Sequence, residues 1–247
     1  MYCLKRNKVQ IIELDFKEAN DKALRMRQGV VADVKVADFS NGEKCRVSIF
    51  TSGCLFNCRN CFNKKIQNFN YGRAHADAVK QGKSVEGEFP RYYDKELEDT
   101  IIENLRPSYI DGLTLLGGEP FMNTNVTIPL AERVREEFGD TKTIWSWTGY
   151  EWEELQEMIA YDYPLSREQG KLLGLIDTLV DGRYVDSIRQ QDLKANNNRD
   201  IHFRGSSNQR IIDVKKSLAT NTIVERVDIY GDEVIVDRTG KDFKKMN

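Results

Sequence analysis

The 247-residue sequence has few of the residues that mark several common classes of protein. Its five cysteines are sparse and odd in number, and no signal peptide precedes them, so we expect reduced thiols in a cytoplasmic protein rather than a disulfide framework. No apolar run approaches the ~20 residues of a membrane-spanning helix. The formal net charge of -2 leaves no excess of positive charge for phosphate contacts. We therefore expect neither a membrane protein nor a nucleic-acid-binding protein.

Three of the cysteines lie close together, in the run from Gly53 to Asn63. Cys54, Cys58 and Cys61 have the spacing C-x3-C-x2-C, which supplies three thiolates to one inorganic centre. A [4Fe-4S] cluster contains four irons, and complete thiolate ligation needs a fourth cysteine. A loop with three cysteines therefore leaves one iron open to bind and activate another molecule.

A structural zinc site is the alternative interpretation of these cysteines. Such sites use four cysteines, or three cysteines and a histidine, and the chain offers Cys3, Cys45, His75 and His202 as further candidates. Cys45 opens Cys45–Phe50, the first strand of the predicted sheet, where a buried cysteine usually serves as a small hydrophobe. Cys3 lies near a chain end, where order is least expected. Zinc is therefore the less favoured metal.

Helical and strand patterns alternate after the cysteines, which predicts an α/β fold with a mostly parallel sheet. The predicted elements are a helix from an Asp94 cap to about Arg106, a strand Gly112–Leu116, a helix through Leu130, Val134 and Phe138 with Pro129 in its first turn, a strand Thr143–Trp147, a helix bearing Trp152, Leu155, Met158 and Ile159, and a strand Leu175–Val180. Trp145, Trp147 and Trp152 are interpreted as core or partner-facing side chains rather than cofactor ligands.

Glycines and polar residues follow three of these strands. The segments are Gly117-Gly118-Glu119-Pro120, Thr148-Gly149-Tyr150 and Asp181-Gly182-Arg183-Tyr184. Glycine lets a ligand approach the backbone closely, and a neighbouring carboxylate accepts hydrogen bonds from an ammonium or a ribose hydroxyl. Each segment alone is typical of an ordinary strand-to-helix turn. Ligands of open α/β sheets gather at the carboxyl ends of the strands, so the recurrence predicts a binding site at that edge.

The cysteine loop, with Phe62 directly after its third cysteine and Gly-Gly-Glu-Pro further on, resembles the radical S-adenosylmethionine enzymes. Within that family the sequence is most similar to the activating enzymes of anaerobic (class III) ribonucleoside-triphosphate reductases, over roughly residues 30 to 218. The segments that carry the resemblance are 38–42, 52–63, 113–121, 145–150, 179–183 and 203–210. The last, Phe203-Arg-Gly-Ser-Ser-Asn-Gln-Arg210, is not expected in the related activators of pyruvate formate-lyase.

The resemblance implies a partial, open βα barrel of the radical-SAM type in residues 30–218, with an N-terminal extension, 1–29, and a C-terminal hairpin tail, 219–247. The extension contains a strand-like run at Val9, Ile11 and Ile12 and helix formers from Lys17 to Arg27; the tail contains two strand patterns, Val224–Tyr230 and Glu233–Asp237, around Gly231-Asp232. A polar insertion, 64–93, is longer than the link in compact family members. It is interpreted as a solvated loop with an exposed His75, or as a lid or partner-docking arm.

The resemblance also implies ligands and roles for individual residues. The cysteines hold a single [4Fe-4S] cluster, and its open iron chelates the amino and carboxylate groups of S-adenosylmethionine. The implied cofactor contacts are Asn60, Cys61 and Phe62 for the adenine, Gly117, Gly118 and Glu119 for the methionine ammonium, and Thr148 and Asp181 for the carboxylate and ribose.

The implied activity is reductive cleavage of S-adenosylmethionine, followed by abstraction of hydrogen from a glycine of the reductase. An electron donor such as flavodoxin or ferredoxin is the second implied partner. Such chemistry requires no general acid or base, in keeping with only two histidines. Two alternatives stay open: an activator of another glycyl-radical enzyme such as pyruvate formate-lyase, and a zinc-binding module without catalysis.

Overall fold

A computed structural model describes residues 17–83, 85–195, 202–226 and 234–235. The first helix, α1, covers 17–26. The elements that follow are β1 Val30–Asp38, β2 Arg46–Thr51, a 3-10 helix Lys65–Gln67, α2 Arg73–Lys80, β3 Arg91–Tyr92, α3 Lys95–Leu105, β4 Gly112–Gly117, α4 Thr124–Phe138, β5 Thr143–Trp147, α5 Trp152–Ala160, α6 Pro164–Leu175, β6 Thr178–Asp181, α7 Asp186–Lys194, β7 Arg210–Asp213, α8 Val214–Thr220, β8 Val224–Glu225 and β9 Val234–Ile235.

The strands of the described part of the chain form one sheet, in the order β3-β1-β2-β4-β5-β6-β7-β8-β9. The four central strands, β2, β4, β5 and β6, are parallel. The strands on both sides of them pair antiparallel. The predicted α/β class is confirmed, and the predicted parallel sheet is found at the centre of a mixed one. All four central strands end at the same edge.

The two faces of the central sheet are covered differently. Alternate strand residues such as Ile49, Leu115 and Ile144 pack with α3, α4, α5 and α6 in the main hydrophobic core. Their neighbours Phe50 and Leu116 point to the other face, as period-2 alternation requires. That second face has only small apolar clusters, and it is where the candidate site lies.

The predicted helix after Asp94 is confirmed, with its physical basis visible. The Asp94 side chain accepts a hydrogen bond of 2.9 Å from the backbone N–H of Leu97 and caps α3. The apolar stripe at helical spacing is buried, at Leu97, Ile101, Ile102 and Leu105. The predicted strands β2, β4 and β5 and the helix α5 are confirmed in the same way.

Three sequence predictions near this core are wrong in detail. Pro129 lies in the second turn of α4 and not in its first, because the helix already begins at Thr124. Because proline has no N–H, the carbonyl of Asn125, four residues before Pro129, lacks its helical hydrogen bond. Asn125 is exposed, so water can reach that carbonyl. The strand predicted from Leu175 begins at Thr178, since Leu175 ends helix α6. Finally, the cysteine loop follows the second strand, because β1 precedes it.

The insertion 64–93 is polar, but it is folded rather than a structureless loop. It contains the 3-10 helix, α2 and β3, and β3 adds to the sheet beside β1. Phe69 and Ala76 are fully buried. His75 is half-buried and lies between the carbonyls of Pro90 and Glu86, at 2.6 and 3.1 Å, so the expectation of an exposed histidine is wrong.

Both ends of the described chain contribute to the fold. The predicted helix after Lys17 is confirmed as α1, and Arg27 just after it pairs with Glu168 of α6. The predicted C-terminal pairing is confirmed for β8 and β9, which are antiparallel. The turn between them, the run at Val9 to Ile12, and Cys3 lie outside the described residues. No helix in the described ranges is long and apolar enough to cross a membrane.

Candidate functional site

A cavity of about 480 Å³ opens at the carboxyl ends of the central strands. Most of the residues predicted for the site line it: Cys54, Cys58, Cys61, Phe62, Gly117, Gly118, Glu119 and Thr148. Two predicted residues, Asn60 and Asp181, are not among its lining residues. The cavity therefore lies at the edge of the sheet where the sequence predicted a site, and the structure brings segments far apart in the chain to that edge.

The cysteine loop is held at its start by the insertion. The backbone N–H groups of Gly53 and Cys54 donate to the carbonyls of Ile66 and Gln67, both at 2.8 Å. Within the loop, Asn57 has a left-handed backbone with φ of 51°, a conformation that asparagine tolerates better than most residues. The loop can thus turn its three cysteines toward one cavity while its backbone is fixed from outside.

The surroundings of Cys54 and Cys58 make their free thiolates unfavourable. Burial raises the pKa of Cys54 far above its usual range, and the negative charge of Glu119 adds to this. Burial also raises the pKa of Cys58, although the positive charge of the Arg183 guanidinium opposes this rise. A thiolate in such a place needs a positive partner such as a metal ion, because a coordinating metal deprotonates the thiol.

The spacing of the side chains bears on which metal group fits. Among the described residues, no three His, Cys, Asp or Glu side chains stand close enough to hold a single metal ion. A zinc site requires its ligands around one ion, whereas the thiolates of an iron-sulfur cluster bind separate irons. Three cysteines that line one cavity are a donor set that an iron-sulfur cluster can use, one thiolate to each of three irons.

The two glycines at the end of β4 allow the chain there to pack closely on the end of β2 and on the start of the cysteine loop. A Cβ on Gly118 would lie 2.3 Å from the carbonyl oxygen of Gly53, and a Cβ on Gly117 would lie 2.5 Å from the backbone nitrogen of Thr51. Gly117 also has φ of 110°, which side chains rarely adopt. These glycines are therefore required by contact between two protein backbones, whatever ligand lies beyond them.

Glu119 is the buried polar centre of the site, with only 1% of its surface exposed. Its carboxylate accepts hydrogen bonds from the Thr148 hydroxyl and the Gly149 N–H, both at 2.8 Å, and from the Phe121 N–H at 3.1 Å. Burial raises its pKa to about 7, although these donors oppose the shift. Glu119 is thus held rigidly by neutral groups at the wall of the cavity.

Asp181 is turned away from the cavity by its own partners. One carboxylate oxygen accepts from the Trp152 N–H at 2.8 Å, and the Arg210 guanidinium bonds both oxygens. Asp181 therefore joins β6 to α5 and β7. This pairing could not be predicted from local patterns, because Arg210 lies 29 residues away from Asp181 in the chain.

Phe62 and Asn60, the predicted adenine contacts, lie at the outer side of the cysteine loop. The Phe62 side chain is 70% exposed and packs on the ring of Tyr184, with 5.0 Å between the ring centroids. The Asn60 side chain donates to Asp186 at 2.8 Å. Phe62 offers an open aromatic face at the cavity mouth, whereas Asn60 is engaged outside it.

Several lining residues were not assigned to the site from sequence. Lys35 comes from β1, a strand that was not predicted, and lies 5.0 Å from the centroid of the Phe50 ring. Trp147 is half-buried, and its indole N–H donates to the Phe203 carbonyl at 3.0 Å. Trp145 and Trp152 are buried, as expected.

The segment 203–210 forms both a hydrogen-bonded turn and part of the cavity wall. The Gln209 side chain accepts from the Gly205 N–H at 2.6 Å and donates to the Gly182 carbonyl at 2.7 Å. Phe203, Arg204, Gly205 and Gln209 line the cavity. The turn therefore attaches this segment to the end of β6.

Comparison with known proteins places these features in a family. A family model described as a 4Fe-4S single cluster domain matches residues 40–212. Three similar proteins are each named anaerobic ribonucleoside-triphosphate reductase-activating protein. They come from Escherichia coli (strain K12), 34% identical over 176 residues, Haemophilus influenzae, 32% over 176 residues, and Enterobacteria phage T4, 31% over 177 residues.

Each of these matches covers 70% of this chain, and they cover 90%, 91% and 87% of the respective relatives. This chain therefore contains segments beyond those the relatives share. No solved structure matches it. The family model covers more than half of the chain, and the identities hold over nearly whole relatives, so this chain belongs to the 4Fe-4S single-cluster family of anaerobic ribonucleoside-triphosphate reductase-activating proteins.

Proposed function

We propose that this protein is a radical S-adenosylmethionine activase that generates a glycyl radical in an anaerobic ribonucleoside-triphosphate reductase. The observation that carries the proposal is the meeting of Cys54, Cys58 and Cys61 with Gly117, Gly118 and Glu119 around one cavity. Its relatives are named for activation of that reductase. A cavity of about 480 Å³ has room for a small cofactor beside a cluster.

In the proposed mechanism, Cys54, Cys58 and Cys61 hold a [4Fe-4S] cluster through one thiolate each. When bound, the cluster would supply the single electron for reductive cleavage of S-adenosylmethionine, the chemistry that ends in abstraction of hydrogen from the glycine of the reductase. Glu119 accepts a hydrogen bond from the amino group of the methionine moiety, and Phe62 lies against the adenine. The buried wall around Glu119 excludes water from the reactive centre.

Thr148 acts in this proposal through Glu119, because its hydroxyl already donates to that carboxylate. Asp181 is engaged in an ion pair with Arg210, so in this proposal it stabilises the wall of the site. Other lining residues then contact the ribose. We further propose that the sheet of residues 30–218 is curved as an open barrel of the radical-SAM type, with 1–29 and 219–247 as additions. A cytoplasmic location and a flavodoxin or ferredoxin as electron donor complete the proposal.

The decisive experiment measures radical formation on the partner. Protein reconstituted with iron and sulfide without oxygen, then reduced and given S-adenosylmethionine, is expected to produce the doublet of a glycyl radical by electron paramagnetic resonance in the cognate reductase. The cognate pyruvate formate-lyase is expected to give no signal. A signal on the lyase alone would contradict the proposed target, and a colourless protein with stoichiometric zinc would contradict the mechanism.

The ligand assignment has an internal control in Cys45, which is buried in the core and outside the cavity. Replacing Cys54, Cys58 or Cys61 by alanine is expected to abolish the functional cluster, because each iron depends on its own sulfur. Cys45→Ala is expected to retain it. Iron, sulfide and cofactor-cleavage assays distinguish these results.

A further inference from the structure

Acidic residues are absent from a long stretch around the cysteines. The chain contains 39 Asp and Glu, yet none occurs from Lys44 to Ala76. The same stretch contains six Lys and Arg. Since the cysteine loop lies inside this stretch, every charged side chain contributed by the loop and its immediate neighbours in sequence is positive.

Three of these cations are exposed and adjoin the cysteines: Arg59, Lys64 and Lys65. We refer to them as the basic face. Among the described residues none of the three forms a salt bridge with a carboxylate, and the Lys64 ammonium donates to the Asn57 side chain at 2.6 Å. The carboxylate of Asp186, which Arg59 influences, is already bonded by Asn60.

The other cations of the stretch are engaged elsewhere. Lys44 pairs with Asp111 at 2.8 Å, and Arg73 lies 3.8 Å from Asp77. Arg46 is fully buried. The basic face is therefore the part of this stretch whose positive charge is directed to solvent without a paired carboxylate.

The basic face lies next to the cluster ligands in the chain, since Arg59 follows Cys58 directly and Lys64 comes three residues after Cys61. Both cysteines are only partly buried. We infer that the basic face is the docking surface for an acidic protein that donates single electrons to the cluster. This inference rests on the proposed function, because only a cluster that must be reduced needs such a partner.

The charge and position favour an electron donor over the reductase as occupant. A donor must approach the cluster itself, from the side where its ligands reach the surface. The glycine of the reductase must enter the cavity instead. Electron-transfer interfaces are small and weak, and complementary charge raises their association rate more than their affinity. Three exposed cations beside the cysteines match that requirement.

The test measures how fast the reconstituted cluster is reduced by an acidic flavodoxin in its hydroquinone state, in an anaerobic stopped-flow instrument. The variant carries Arg59→Gln, Lys64→Gln and Lys65→Gln. A matched control carries Lys22→Gln, Arg25→Gln and Lys83→Gln, which removes equal charge from exposed positions outside the cysteine loop.

We expect the second-order rate constant to fall on the order of tenfold in the basic-face variant at low salt. The difference should shrink toward ~1 M salt, where charges are screened within ~3 Å. The control should stay near the wild-type rate. Iron content, and reduction by a photoexcited neutral deazaflavin, should be unchanged in all three proteins, which shows that the cluster is intact.

Equal rates for the wild type and the basic-face variant would overturn the inference, as would an equal fall in the control. A variant that is reduced normally by flavodoxin but no longer produces the glycyl radical would assign this surface to the reductase and also overturn it. A wild-type cluster that no reductant can reduce would refute the proposed function instead.

Discussion

Glu119 and Asp181 are two buried carboxylates at the same edge of the sheet, each with 1% of its surface exposed, and their charges are met in opposite ways. Asp181 faces the guanidinium of Arg210, which also pairs with Glu153. Glu119 accepts from a hydroxyl and two backbone N–H groups. In the described part of the chain no Lys or Arg forms an ion pair with it.

The difference separates a structural carboxylate from one that is ready for a ligand. Burial without a counterion raises the pKa of Glu119 to about 7, so a positive or hydrogen-bond-donating group in the cavity is favoured beside it. Asp181 already has its cation inside the protein. Both residues occur in strand-end segments rich in glycine, and only the partner distinguishes them.

Arg210→Met is expected to have the largest effect, and to act on folding. It leaves Asp181 buried without its cation, which costs about 3 kcal/mol. The measurement is the free energy of unfolding of the protein without cofactor, from denaturant titration. Affinity for S-adenosylmethionine should change little in the protein that remains folded.

The matched control is the double variant Asp181→Asn with Arg210→Met, which removes the charge together with its partner. It should recover a substantial part of the lost stability. If the double variant is no more stable than Arg210→Met alone, the loss does not come from an uncompensated charge at Asp181.

Glu119→Gln is expected to act mainly on binding. The amide keeps the size of the side chain but loses the charge. Its NH2 group is a donor, and it would face a backbone N–H, also a donor, where the carboxylate oxygen now accepts a hydrogen bond. We expect affinity for S-adenosylmethionine to fall roughly tenfold, in line with the loss of one charged hydrogen bond. Equilibrium binding to the reconstituted protein measures this. An unchanged affinity would remove Glu119 from the cofactor site.

The pH dependence of binding gives the next largest effect. Since its pKa is raised to about 7, Glu119 is mostly protonated below that pH and charged above it. The ratio of wild-type to Glu119→Gln affinity should therefore rise several-fold from about pH 6 to about pH 8. The ligand's own titration affects both proteins equally, so it does not change this ratio. A constant ratio would show that the charge of Glu119 does not contribute.

The sequence could predict what depends on neighbours along the chain. Asp94 caps its helix through the residue three positions on, and the apolar period of α3 lies within one segment. The edge of the site followed from strand ends, which all parallel strands share. These predictions need no knowledge of which distant segments meet.

The parts that could not be predicted depend on long-range contacts. The pairing of Arg210 with Asp181 and the place of Lys35 on the unpredicted strand β1 both require the tertiary fold. Gly118 was predicted at the site and lines the cavity, but glycine is required there because the backbone of Gly53 lies so close. A bulky residue at Gly118 is therefore expected to disturb the cysteine loop as well as cofactor binding.

Thr148→Val is expected to have the smallest effect, and it tests whether Thr148 acts through Glu119. The hydroxyl donates to Glu119 at 2.8 Å and accepts from the Tyr150 N–H at 3.1 Å. Its removal should cost about 1 kcal/mol of stability and raise the pKa of Glu119 further, because a hydrogen bond to the charged form is lost. The pH profile of cofactor affinity should then move to higher pH. Thr148→Ser retains the hydroxyl and should restore both the profile and the stability, whereas a serine variant as impaired as the valine variant would assign Thr148 a packing role alone.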